Sequence, residues 1–102
     1  MKGLSEKLYR ISETDNVAVA LANLPEGPTK VQNAGDLVLL ERIPFGHNAA
    51  LTDIRSGDRI VKNGVPIGEA TGDIARGEMV HFHNCRSFCG KAGAAQRTEI
   101  SS

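Results

Sequence analysis

Histidines are the residues best suited to chemistry in this chain, and two of the three, His81 and His83, flank Phe82 in the stretch GEMVHFHNCRSFC. On a β-strand, residues two apart share a face, with Cα atoms about 6.5–7 Å apart. On that reading Val80 and Phe82 point into the core and the two imidazoles point away from it together. Imidazoles so placed can ligate one metal ion or bind an anionic substrate, and they titrate close enough to neutral pH to move a proton. The bland alternative is a half-exposed strand that simply needs polar residues on its wet side, and spacing alone leaves both readings open. Two histidines do not complete a site, so a third group must come from elsewhere in this chain or from another chain.

The internal candidate is His47, in IPFGHNAALTD, directly after a turn glycine and so on a loop or at a strand start. Asp15, Asp53 and Asp73 could add carboxylates. Asp53 and Asp73 each precede a turn, where an Asp side chain readily takes backbone N–H groups, so capping is the expectation for both. Asp15-Asn16 stands just before the apolar run VAVAL, where turn formation is the simple reading. Lys62, in RIVKNG, is either a solvated lysine or a cation for the carboxylate or sulfonate of a small acid. Cys85 and Cys89 are spaced C-x3-C without the second half that a zinc site needs, and no ligand role is assigned to them. No nucleophile elbow, phosphate loop or dinucleotide fingerprint is present.

The elements that must position these residues are short. Glycine and proline punctuate the middle of the chain (LPEGP, NAG, IPFG, RSGD, KNGVPIG, ATGD, ARGE), with Val-, Ile- and Leu-rich runs between them. This is the pattern of a mainly β chain with many turns. Strands are predicted at Lys7–Ile11, Val17–Leu21, Leu37–Glu41, Arg59–Lys62 and Glu78–His83. Asn63-Gly64 is a tight-turn signal. Single helical turns are predicted at LTDIRSG and GDIARG. An internal echo links Asp53-Ile54-Arg55-Ser56-Gly57-Asp58 with Asp73-Ile74-Ala75-Arg76-Gly77-Glu78, and Leu24-Pro25-Glu26-Gly27 and Ile43-Pro44-Phe45-Gly46 are shorter versions. Each copy reads as an apolar plug, a tight turn, a glycine that tolerates positive φ, and a departing strand.

The bulk numbers narrow the class. A chain of 102 residues fits one small domain, and twelve acidic against twelve basic residues give no basic excess for a nucleic-acid partner. With no Trp, one Tyr and three Phe, the core must be aliphatic, and a core this small often gains stability from a partner or from self-association into a homo-oligomer. No run approaches the roughly 20 apolar residues of a membrane helix, and MKGLSEKLYRI has no secretory character, so no membrane contact and a cytoplasmic location are expected. In a reducing compartment the cysteines are expected as free thiols. Residues 8–86 are expected to form the domain, and 87–102, poor in apolar residues from Gly90 on, a loose tail.

In order along the chain, TDNVAVAL, IPFGHNAALTDI, GDRIVKNGVPIGEAT and DIARGEMVHFHN resemble the SAF-type domain of the altronate and galactarate dehydratases. That domain is related in fold to type III antifreeze proteins and to the C-terminal domain of sialic acid synthases. It also occurs as the free small subunit of sulfolactate sulfo-lyase. The resemblance implies a β-clip fold with short single-turn helices. It also implies a large catalytic dehydratase subunit as partner, a small sugar-acid or sulfonated-acid substrate, and Fe2+ or Mn2+ in the complete enzyme. The long dehydratases continue into a catalytic domain after HNxR. Here HNCRSFCGKAG follows, so the free small-subunit form, inactive alone, is the expectation. The residues expected to act in the assembled enzyme are His47, His81 and His83 in catalysis, with His81 and His83 also as metal ligands. Asp15, Asn16 and Lys62 are expected to bind substrate.

Overall fold

A computed structural model describes residues 7–88. They form nine strands: β1 (Leu8–Tyr9), β2 (Val17–Ala20), β3 (Gly27–Gln32), β4 (Gly35–Leu39), β5 (Asn48–Ala50), β6 (Arg59–Lys62), β7 (Val65–Ala70), β8 (Met79–Val80) and β9 (Cys85–Ser87). One sheet has the order β4-β3-β1-β2-β5-β8 and the other β6-β7-β9, and every pairing is antiparallel except β1 with β3.

The echo in the sequence is the skeleton of the fold. Leu24 and Ile43 form one isolated bridge, and Ile54 and Ile74 form another. In each bridge both residues donate and accept, at 2.9 and 2.9 Å for the first and 2.8 and 2.7 Å for the second. All four plugs are buried, and the glycine three residues after each (Gly27, Gly46, Gly57, Gly77) has positive φ. A hairpin runs between the members of each bridge: β3–β4 between Leu24 and Ile43, and β6–β7 between Ile54 and Ile74. The chain is therefore corner–hairpin–corner, twice. Asn33 and Asn63, both at positive φ, turn the two hairpins at matching places.

Each half builds its own aliphatic core. Leu8, Leu37, Leu39 and Ile43 belong to one cluster, and Ile54, Ile60, Ile74 and Val80 to the other. The β2–β5 pair is the wall between them. Ala18 and Ala49, paired in register, belong to the first cluster, whereas Val17 and Ala50, the next pair, belong to the second. Strand alternation sends neighbouring residues to opposite cores, and small side chains let the two layers close on this wall. Leu40 N–H donates to Gly77 O at 3.0 Å and Met79 N–H to Glu41 Oε2 at 3.0 Å. The end of edge strand β4 is thereby tied to the start of the other edge strand, β8.

The predicted single-turn helices are not present; among the described residues there is no helix. Three of the four corners make one i→i+3 bond, His47 N–H to Pro44 O at 3.0 Å, Asp58 N–H to Arg55 O at 2.9 Å and Glu78 N–H to Ala75 O at 3.0 Å, while Pro28, which follows the fourth, has no N–H to give. The positive-φ glycine before each donor prevents a second turn. Arg59–Lys62 is a strand as predicted, and Lys7–Ile11, Val17–Leu21 and Leu37–Glu41 are strands in part. Strands β3, β5, β7 and β9 lie outside the predicted strands. At the C-terminal end β9 includes Ser87, and Phe88 N–H still bonds Ile67 O at 2.9 Å, so the ordered ladder passes the boundary expected at residue 86. The rest of the expected tail, from Cys89, lies outside the described residues.

Candidate functional site: a histidine pair at the β5–β8 end

Strand β8 ends at Val80, so the prediction of a strand through His83 is corrected. Residues 81–84 form a turn, closed by Asn84 N–H to His81 O at 2.9 Å. The side chain of Asn84 holds it. Its Oδ1 accepts from His81 N–H at 3.0 Å, and its Nδ2 donates to Met79 O at 2.9 Å. Its carbonyl accepts from Thr71 N–H at 2.9 Å. A side chain that takes backbone groups in this way competes with ladder pairing and ends the strand. Val80 is buried as expected, but Phe82 does not enter the core; it is 84% exposed.

The turn nonetheless brings the histidines together. Asn48 pairs with Val80 across β5 and β8, which places His47 opposite His81. Their ring centroids are 4.9 Å apart, tilted by 35°. His81 also lies against Phe82 at 4.0 Å, and His83 is 6.3 Å from His81. His47 and His81 are half-buried and His83 is exposed. The backbone of His47 is fixed on both sides, its N–H donating to Pro44 O at 3.0 Å and its carbonyl accepting from Ala20 N–H at 2.8 Å. Its Nδ1 lies 3.4 Å from the Phe45 carbonyl, which can only accept, so the tautomer with a proton on Nδ1 is favoured. That tautomer leaves Nε2 with a lone pair, free to take a proton or bind a cation.

The other candidates gather elsewhere. Asp15, only 6% exposed, accepts from Ser12 N–H at 2.9 Å and Asn63 N–H at 2.8 Å through Oδ2, and from Gly64 N–H at 2.9 Å through Oδ1. Asn16 works as an extra strand residue, donating Nδ2 to Arg59 O at 2.9 Å and accepting Val61 N–H at 2.8 Å. Lys62 ends β6 beside the same Asn63-Gly64 turn. This group sits at the start of β2 and the histidine pair near its end. That is roughly 13 Å along a strand, and no hydrogen bond or ring contact joins the two groups among the described residues.

Asp53 and Asp73 cap turns, but crosswise. Asp53 Oδ1 accepts from Arg76 N–H at 2.9 Å, and Asp73 Oδ1 from Ser56 N–H at 2.9 Å. Asp58 and Glu78 hold their own turns, accepting from Arg55 N–H at 3.0 Å and Ala75 N–H at 2.7 Å. Among the described residues no group of three His, Cys, Asp or Glu side chains is placed to hold a metal ion. His47 and His81 supply at most two imidazoles, so the residues present do not by themselves fit the Fe2+ or Mn2+ expected of the complete enzyme. Cys85 packs against the second core, and burial pushes its thiol pKa up, away from the reactive thiolate.

The Asp15 carboxyl gives a test by acid. Burial pushes its pKa up, but the N–H groups of Gly64, Ser12 and Asn63, and the charge of Arg10, outweigh burial and hold it below the ordinary value. A folded-state pKa below the unfolded one means that Asp15 stabilises fully above about pH 4 and loses that contribution as pH falls through the folded value. Asp15→Asn is expected to cost about 1–3 kcal/mol at neutral pH, because the amide presents a donor to N–H groups. It should also flatten the decline of the urea midpoint as pH falls below about 4. The same acid slope in both proteins would exclude this role.

Residues 6–88 match the family described as the altronate/galactarate dehydratase SAF domain. The chain is 46% identical to altronate dehydratase of Escherichia coli over 78 residues, which is 76% of this chain and 16% of that protein. It is 42% identical over 45 residues to the (2R)-sulfolactate sulfo-lyase subunit alpha of Paracoccus pantotrophus, 44% of this chain and 67% of that subunit. It is 36% identical over 72 residues to galactarate dehydratase (L-threo-forming) of Escherichia coli, 70% of this chain and 13% of that protein. The chain thus spans about a sixth or less of the two dehydratases it resembles. With the match running from the first described strand to the last, and the corner–hairpin skeleton built from the matched residues, the chain belongs to the altronate/galactarate dehydratase SAF domain family.

Proposed function

We propose that this chain is the small SAF component of a lyase that removes water from a sugar acid, and that it works with a large catalytic body. The observation that carries the reading is the pairing of His47 with His81 on fixed backbone. Elimination needs a base for the proton next to the carboxylate and an acid for the departing β-hydroxyl; the C–H pair becomes the new double bond and the C–O pair leaves with water. Imidazoles suit either role near neutral pH. Two half-buried histidines at the domain surface would supply one of them, and the catalytic body would supply the rest, including any Fe2+ or Mn2+. His83, on the outer side of the same turn, is placed to meet substrate or partner. Asp15 and Asn16 are committed to the β6–β7 hairpin and would act on substrate only by shaping that end of the domain, with Lys62 beside them.

A second reading replaces water by sulfite as the leaving group. It is favoured by the likeness to a sulfo-lyase alpha subunit, which is itself a separate small chain. One experiment tests both. The purified chain, with iron or manganese added, is expected to turn over none of altronate, galactarate and sulfolactate. Addition of the large chain should give activity on one of them, and the product, water or sulfite, decides the leaving group. Turnover by this chain alone would refute the two-component reading. Full activity of the large chain without this one would leave the domain an assembly module.

A further inference from the structure

We infer that the aromatic rim around the histidine pair, Phe45 and Phe82, is the surface on which the large catalytic body docks. This deepens the two-component reading and rests on it. Among the described residues these are the most exposed large apolar side chains, 66% for Phe45 and 84% for Phe82. They flank one feature. Phe82 stacks on His81, His81 on His47, and the Phe45 carbonyl faces His47 Nδ1. Leu21, also exposed, adjoins them, since Ala20 bonds both Gly46 and His47 through the backbone.

The rim is built, not loose. Asn84 fixes the turn that carries Phe82. Phe45 N–H donates to Asn23 Oδ1 at 2.8 Å, which fixes the corner that carries Phe45. Aromatic anchors on ordered backbone lose little freedom on docking, and they are the residues that dominate interfaces. The occupant follows from what the rim encloses. The histidine pair lacks further ligating groups among the described residues. A second copy of this chain would bring only the same histidines, whereas a catalytic body would complete the site. In the Escherichia coli altronate dehydratase the matching segment is 16% of the protein, so the same unit there shares its chain with a much larger remainder. The partner face is expected to offer an apolar recess for the two rings, with polar groups beside it that reach His47 and His81.

The test uses the full chain, tagged and recovered from its own source. The probe is a large chain of the altronate/galactarate dehydratase type that co-purifies with it and is identified by peptide mass. Phe82→Asp and Phe45→Asp are each expected to weaken binding to that chain by about thirtyfold or more. Val65→Asp, at another exposed apolar residue on the β6–β7 hairpin, should change it less than about threefold. Both Phe variants should keep the melting temperature of the parent, because the rings are exposed. If the parent captures no such large chain, the two-component reading fails and the docking surface with it. If it captures one and the Asp variants bind equally well, the reading stands and the surface is wrong. If the variants abolish only self-association, the rim is a contact between copies and the proposal is overturned.

Discussion

Exchange of His81 for Gln is expected to lower turnover of the assembled lyase by about 10²-fold or more, the usual worth of a positioned acid or base. The fold should barely notice. The bonds that hold the turn run through the His81 backbone and the Asn84 side chain, and Gln keeps the former intact. The His81 ring is half-buried and leans on His47 and Phe82 rather than on either core, so the stability change should stay below about 1 kcal/mol. His47→Gln is expected to match it, because the two rings face each other. The double variant should be little worse than either single one, since residues that act as a unit are non-additive. His83, exposed and 6.3 Å from His81, is expected to contribute at most about tenfold. The assay is steady-state turnover of the complex across pH, beside thermal unfolding of the same preparations. A complex carrying both His47→Gln and His81→Gln with near-normal turnover would reduce the pair to surface residues.

What could be read from the sequence follows how local each cause is. The corners were legible because plug, turn and glycine lie within four residues. The echo of residues 53–58 in residues 73–78 kept the capping carboxylates as well, with Glu78 standing where the first copy has Asp58. Asn63-Gly64 was legible for the same reason. Asp15 was not, because it clamps Asn63 and Gly64, residues far along the chain, and a local reading sees only a turn former. Strand β3 was missed because GPTKVQ buries only Val31 fully, and one buried position sets no period. The stretch MVHFHN misled in an instructive way. Its apolar–polar alternation fits a strand, yet the partner strand β5 starts at Asn48, opposite Val80, and Asn84 takes the next N–H. The histidines therefore meet by a turn instead of by a shared strand face. The family was legible from ordered motifs, none of which sufficed singly.

Gly77→Ala is expected to be the costliest single-methyl change at the corners of the domain, at about 3 kcal/mol or more. Gly77 sits at φ +93°, where an L side chain is strained. Its added Cβ would also collide with the Val38 carbonyl and come within 3.3 Å of Leu40 Cγ. The backbone cannot step aside, because Gly77 N–H is bonded to Ala50 O at 2.9 Å and its carbonyl accepts from Leu40 N–H at 3.0 Å. The bond from Leu40 ties the end of β4 to the start of β8, and the bond to Ala50 ties β5 to it, so relief at Gly77 would open the sheet where its two edges meet. The sister corner provides the control. Gly57 has nearly the same φ, +92°, at the matching place in the echo, but nothing lies within 4 Å of its Cβ position. Gly57→Ala should therefore carry backbone strain alone, about 1–2 kcal/mol. Urea unfolding of both variants separates the two contributions, and the excess at Gly77 measures the close approach of Val38. Because β8 leads directly into His81, Gly77→Ala should also lower turnover of the assembled lyase under conditions where the domain is still folded, while Gly57→Ala should not. Equal destabilisation at the two corners would mean that the contact between Gly77 and Val38 yields easily and that the edges of the sheet are not held there.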